Sequence, residues 1–283
     1  MPYYVNFDPV AFSLGPLKIH WYGIMYLVGF ICFWLLGSYR AGRPNSGWKK
    51  EEVSDFLFYG ALGVILGGRL GYILFYDFAN VIDDPLRILQ IWKGGMSFHG
   101  GFLGVLVAML WFARKTGRRF FQVSDFFIPM IAPGLFFGRV GNFIGGELWG
   151  RVSDAPWAMI FPRSIDVRPW NPEVIYQQYL AGQLNDQARH PSQLYEALLE
   201  GLLLFVIVWV YSSKPRPAMA VTGFFMIGYG AFRSLVEHYR EPDADKGFLL
   251  GDWLTMGQLL SFPLIAAGLV MMILASRKRV AVD

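Results

Sequence analysis

Seven apolar runs, each about the 20 residues that cross a bilayer as a helix, divide this 283-residue chain. They cover residues 19–38, 53–75, 95–113, 123–143, 192–211, 219–238 and 256–275. Hydrocarbon offers no partner to a backbone N–H or C=O, so runs of this length must bond within themselves, as helices. The reading is an all-α polytopic membrane protein with seven transmembrane helices, a single integral membrane domain over residues 1–283. Composition agrees, with 54% hydrophobic and only 16% charged residues, which suits lipid and not a soluble domain. The lone cysteine, Cys32, lies inside the first run and reads as a small apolar residue. Residues 1–18 lack a basic n-region, so no cleavable signal peptide is expected.

The loops set an orientation. Thirteen basic residues occupy four short segments: Arg40, Arg43, Lys49 and Lys50; Arg114, Lys115, Arg118 and Arg119; Lys214 and Arg216; Arg277, Lys278 and Arg279. The opposite set holds nine in longer segments: Lys18, Arg87, Lys93, Arg151, Arg163, Arg168, Arg189, Arg240 and Lys246. The positive-inside rule puts the first set in the cytoplasm, the N-terminus outside and the C-terminus inside. The basic residues do not form one patch, which argues against a nucleic acid partner. Residues 1–18, broken by Pro2, Pro9, Gly15 and Pro16, are expected to lie on the outer membrane surface. The single large loop, 144–191, is expected to form a small extracytoplasmic cap.

Polar residues inside the runs are costly. A charged side chain at mid-bilayer costs roughly 2.5–3.5 kcal/mol on insertion scales. On the orientation above, Tyr22, Arg69, His99, Arg139, Asn142, Glu196, Glu200, Arg233 and Glu237 all fall toward the outer side. The simplest account is a set of structural ion pairs, with Glu196, Glu200 and Arg69 neutralising one another. It fits His99 less well. That residue sits in Met96-Ser97-Phe98-His99-Gly100-Gly101, among small residues, and is the best candidate to exchange a proton near neutrality. His20 and His238 read as interfacial, and His190 as the turn entering the fifth run. Cys and His show no metal-type spacing.

The densest constellation is Gly138-Arg139-Val140-Gly141-Asn142-Phe143-Ile144-Gly145-Gly146-Glu147-Leu148-Trp149-Gly150. Arg139 and Asn142 share a helix face at i, i+3, and the glycines allow close backbone approach. This stretch resembles the signature of bacterial prolipoprotein diacylglyceryl transferases. His20-Trp21-Tyr22-Gly23, Gly94-Gly95-Met96-Ser97-Phe98-His99-Gly100-Gly101, His190-Pro191-Ser192-Gln193-Leu194-Tyr195-Glu196 and Gly228-Tyr229-Gly230-Ala231-Phe232-Arg233 resemble further segments of that family, in the same order. The resemblance covers essentially the whole chain. It departs at Gly145, where the family pattern usually has Asn.

The resemblance implies an inner-membrane enzyme. It moves the diacylglyceryl group of phosphatidylglycerol onto the lipobox cysteine thiol of a prolipoprotein signal peptide, forming a thioether and releasing glycerol phosphate. It implies no cofactor or metal. It places function at Tyr22, His99, Arg139, Asn142, Glu147, Gly150, Tyr229, Arg233 and Glu237. In the roles expected here, Arg139 and Arg233 hold the phosphate and His99 assists thiol deprotonation. The others position these groups. The competing class, a transporter of an anionic lipid or metabolite, would also place Arg and Glu in the membrane, but the chain shows no matched halves.

Overall fold

The computed structural model describes residues 1–90, 94–242, 247–251 and 254–279. Lys93 and Lys246 of the charge argument lie outside them, as do the side chains of Lys278 and Arg279. Among the described residues, five helical stretches are long and apolar enough to cross a membrane: Trp21–Ala41, Lys50–Ile82, Phe120–Gly145, Ser192–Tyr211 and Met256–Arg277. The chain is a mostly helical, polytopic membrane protein. The third and sixth runs are helices too, but shorter. They form Phe98–Lys115, of 18 residues and ending in two cations, and Ala220–Val236, of 17 residues.

The all-α expectation needs a correction, because four short strands are present among the described residues. β1 (Tyr3–Tyr4) pairs in parallel with β4 (Met159–Ile160), and β2 (Val10–Leu14) pairs antiparallel with β3 (Leu17–His20). Gly15 and Pro16, read as breakers, form the turn between β2 and β3, with Gly15 at φ +60°, a conformation that costs glycine nothing. His20 therefore ends a strand, and the first helix starts at Trp21.

The helices are α1 (Trp21–Ala41), α2 (Lys50–Tyr72), α3 (Phe78–Asp83), α4 (Phe98–Lys115), α5 (Phe120–Phe127), α6 (Ile131–Gly145), α7 (Pro172–Leu180), α8 (Ser192–Glu196), α9 (Leu204–Tyr211), α10 (Ala220–Val236) and α11 (Met256–Arg279). The fourth run is not one helix. A 3-10 turn, Ile128–Met130, separates α5 from α6 at Pro129, which has no N–H to give. Met1–Cys32 with Ile128–Asp283 make one compact unit, and Phe33–Phe127 make a second.

In the second unit α2 and α4 meet through glycine. A Cβ on Gly63 would lie 2.6 Å from the Gly104 carbonyl oxygen, and one on Gly71 would lie 2.7 Å from the Gly100 Cα. Small residues four apart let backbones touch where lipid supplies no hydrophobic drive. Gly104→Leu is expected to separate the two helices. Overpacking typically costs about 1–3 kcal/mol, and backbone atoms cannot swing aside, so the melting temperature in detergent should fall clearly. At one end of the pair Phe112, Phe127 and Val53 are fully buried. Trp48 stacks on Phe126 at 4.2 Å, and the Arg118 guanidinium lies 4.0 Å from the Trp48 ring centre while pairing with Glu52.

Arg69 corrects an expectation. Its guanidinium is buried, but it does not sit on a glutamate. It donates to the backbone carbonyls of Arg87, Ile88 (3.1 Å), Gly94 (2.7 Å) and Gly95 (3.1 Å). A guanidinium has five donors, and four of them go to backbone carbonyls of the segment before α4. The Ser97 hydroxyl then caps α4, accepting from Gly100 N at 3.2 Å, so His99 lies in that helix's first turn, its side chain exposed.

In the first unit α1 and α6 approach at Gly29 and Gly134, where a Cβ on Gly29 would lie 3.2 Å from the Gly134 Cα. Ile128, Ala132, Leu204, Val208, Val221 and Phe225 form the core that joins α6, α9 and α10. The 144–191 segment has a small core of its own, made of Ala158, Ile160, Ile165, Ile175, Leu184 and Ala188.

Candidate active site

The first unit gathers five charged side chains from three elements. Arg139 lies on α6, Glu196 and Glu200 on the helix that begins with α8, and Arg233 and Glu237 on and just after α10. A π-helical stretch, Ala197–Leu203, joins α8 to α9. Such stretches are rare in helices and concentrate at functional sites. Here it carries Glu200, and both Glu196 and Glu200 face the same two guanidinium groups.

Glu196 Oε1 pairs with Arg233 and lies 3.3 Å from Arg139 Nη2. Glu200 stands 3.6 Å from Arg233 and 3.9 Å from Arg139. Glu237 also pairs with Arg233. It receives the Thr255 hydroxyl at 2.8 Å and faces Arg240 at 3.3 Å. Glu196, Glu200 and Glu237 are 0%, 1% and 2% exposed. The Arg139 side chain retains 21% exposure against 10% for Arg233, so Arg139 is the more open cation of the pair. Ions taken out of water lose several kcal/mol of solvation each, and the loss is recovered only by close opposite charge.

The signature residues flank this cluster. Asn142, one turn after Arg139, is buried and donates to Glu147 Oε1 at 2.8 Å. The Glu147 carbonyl accepts from Gln193 Nε2 at 2.7 Å. Gly146 ends α6 in the left-handed region at φ +61°, which turns the chain so that Glu147 reaches back to Asn142. Gly145, the departure from the family pattern, lies within van der Waals reach of the Glu147 side chain, its built Cβ being 3.6 Å from Oε1. The Tyr22 hydroxyl is 3.0 Å from that of Tyr26, and a Cβ on Gly141 would lie 3.1 Å from the Tyr22 ring. Tyr229, one turn before Arg233, packs parallel to Phe225 with ring centres 6.1 Å apart.

Gly150 has a steric reason to be glycine. Its N–H donates to the His190 carbonyl at 2.8 Å, and an added Cβ would lie 2.5 Å from the Tyr239 carbonyl and 2.6 Å from that of His190. Three backbone segments meet there. Gly150→Ala is expected to cost about 1–3 kcal/mol and to lower activity and melting temperature together. A variant with normal stability would show that the backbones can part. His190 turns the chain into α8 as expected, with Nδ1 3.0 Å from the Tyr195 hydroxyl. Burial pushes its proton affinity below the ordinary histidine value, since a dry site penalises the imidazolium.

The structure thus brings Arg139, Arg233 and Glu237 together, with Asn142 a turn further along α6 and Glu147 and Gly150 in the segment that follows it. His99 belongs to the second unit. Glu196 and Glu200, expected to pair with Arg69, pair with Arg139 and Arg233 instead, and sequence reasoning does not single out Gln193, Arg240 or Thr255. The i, i+4 spacing of Glu196 and Glu200 was the available signal.

An integral membrane protein that keeps a dry cluster of arginines and glutamates across three helices is suited to handling an anionic group within the bilayer. Residues 9–274 match the family described as prolipoprotein diacylglyceryl transferase. The chain is 55% identical over 280 residues to a phosphatidylglycerol–prolipoprotein diacylglyceryl transferase of Sodalis glossinidius, covering 96% of this chain and 94% of that one. The corresponding protein of Yersinia enterocolitica is 54% identical, covering 96% and 95%, and that of Photobacterium profundum is 53% identical, covering 95% and 93%. The chain belongs to the prolipoprotein diacylglyceryl transferase family.

Proposed function

We propose that the chain transfers the diacylglyceryl group of phosphatidylglycerol to the lipobox cysteine thiol of prolipoproteins, the first step of lipoprotein maturation. The observation that carries this is the family match over nearly the whole chain. The transferase works within the bacterial inner membrane, as one integral domain of seven helices with its N-terminus outside. The 144–191 segment caps it on the outer side, and the site opens toward the outer leaflet. The loop charges support that orientation. A reporter fused after Lys115 or Lys214 should read cytoplasmic, and one within residues 169–189 extracytoplasmic. The reverse pattern would overturn the orientation.

In the reaction, the substrate thiolate attacks the glyceryl carbon that carries the phosphate ester. A C–S bond forms, the C–O bond breaks, and the electron pair leaves with glycerol phosphate. The developing charge on that leaving group needs cations already in place. Arg139 meets the phosphate, because it is the more open guanidinium and its ion pairs are long. Arg233 supports it from behind, held by Glu196 and Glu237. His99 takes the thiol proton, which a free thiol of pKa about 8.5 gives up sparingly at neutral pH. Asn142 and Glu147 form one bonded unit that orients the headgroup, Tyr22 and Tyr229 line it, and Gly150 lets the turn close. No nucleic acid takes part. Purified protein incubated with phosphatidylglycerol and a lipobox peptide should yield lipidated peptide and glycerol phosphate in equal amounts. Bound lipid with no product would overturn the reading.

A further inference from the structure

We propose that Glu200 takes up a proton when an anionic phospholipid headgroup binds at Arg139. Glu196 and Glu200 thus serve as resident counter-anions that the lipid phosphate partly replaces. The inference rests on the reading of Arg139 as the phosphate-binding arginine.

The charge inventory carries it. Glu237 also touches Arg233, but it has a cation of its own in Arg240 at 3.3 Å and a hydroxyl from Thr255 at 2.8 Å. The remaining groups balance: Arg139 and Arg233 against Glu196 and Glu200. A phosphodiester brings one more negative charge into this cluster. An unbalanced charge in a low-dielectric site is strongly unfavourable. Neither glutamate can turn to water, since both are essentially fully buried on a helix packed against α6. A proton is the smallest ion that restores neutrality.

Geometry selects Glu200 as its acceptor. Glu196 Oε1 is held by both guanidinium groups. Both oxygens of Glu200 are buried without a hydrogen bond among the described residues, and their nearest cations stand at 3.6 and 3.9 Å. A dry carboxylate with no hydrogen bond loses least on neutralisation. The other groups facing the cluster are Arg139 from α6, Tyr229 and Arg233 from α10, and Glu237 just beyond it. Glu196 and Glu200 share their own helix. Of these, a guanidinium offers no acceptor atom, and Glu237 is satisfied by Arg240 and the Thr255 hydroxyl.

The test is calorimetric titration of the purified full-length protein with short-chain phosphatidylglycerol in detergent. It is run at neutral pH in two buffers of different ionisation enthalpy. The wild type should take up about one proton per lipid bound, and its affinity should weaken by up to about tenfold per pH unit where the proton must be drawn from solution. Glu200→Gln should bind with no proton uptake and with affinity flat in pH. Heats independent of buffer in the wild type would overturn the proposal without needing the variant. So would undiminished uptake in Glu200→Gln. Arg139→Gln separates the underlying reading. Its normal affinity for the lipid would mean that Arg139 is not the phosphate site. Its lost affinity, with no wild-type proton uptake, would remove the Glu200 proposal alone.

Discussion

Arg233→Leu is expected to leave little folded protein and no activity. Removing it strips Glu196 and Glu237 of their closest cation and leaves Glu200 with Arg139 alone, at 3.9 Å. Breaking a buried pair by deleting one partner typically costs about 3–5 kcal/mol, a large share of the about 5–15 kcal/mol that holds a domain together. The charge-balanced double variant Arg233→Leu/Glu200→Leu separates folding from chemistry. It removes one cation and one anion and refills the space with apolar volume, so most of the lost melting temperature should return. Turnover should not return, because Arg139 then faces the phosphate without support. Arg233→Lys should sit between them. It keeps the charge but not the planar fork, so it should fold and lose most of its rate. Thermal melts in detergent and initial rates read both axes. A double variant that regained stability and turnover alike would make Arg233 a structural counter-ion and nothing more.

The arginine cluster also marks where sequence reasoning stopped. The apolar runs were legible because the bilayer permits few alternatives, and a motif dense in glycine, Arg139 and Asn142 has few structural uses. What was not legible is pairing. Arg69 looked as though it needed a glutamate, because charge in lipid demands charge, yet loop carbonyls near Gly94 satisfy it. Hydrogen bonding to the main chain leaves no trace in side-chain spacing. Likewise the parallel pairing of Tyr3–Tyr4 with Met159–Ile160 joins residues far apart in the chain, and strands of two residues carry no periodic signal. The π stretch at Ala197–Leu203 reads in sequence as an ordinary apolar helix. Gly150 is recognisable through its motif, while its cause, two other backbones within a Cβ's reach, is tertiary. The surprise at Glu196 and Glu200 has the same origin. Their spacing said that they share a face, and only the fold says what that face meets.

The second large effect is expected at His99. His99→Gln should fold normally, since the side chain is exposed in the first turn of α4 and its neighbour Ser97 keeps the cap. It should bind phosphatidylglycerol, because the proposed phosphate contact lies with Arg139. It should turn over slowly near pH 7, because glutamine offers hydrogen bonds but accepts no proton. General-base assistance is worth about 10²–10⁴-fold, so the neutral-pH defect should fall in that range. The defect should then shrink as pH rises. A peptide thiol of pKa about 8.5 ionises on its own in alkali, and an enzyme lacking its base benefits most from that. The ratio of wild-type to variant rate at saturating lipid should therefore narrow between pH 7 and 9. A constant ratio would remove His99 from proton transfer. The thiolate would then have to form in the positive field of Arg139 and Arg233, and the Arg139→Lys variant, which keeps the charge, should in that case retain the pH profile of the wild type while losing rate.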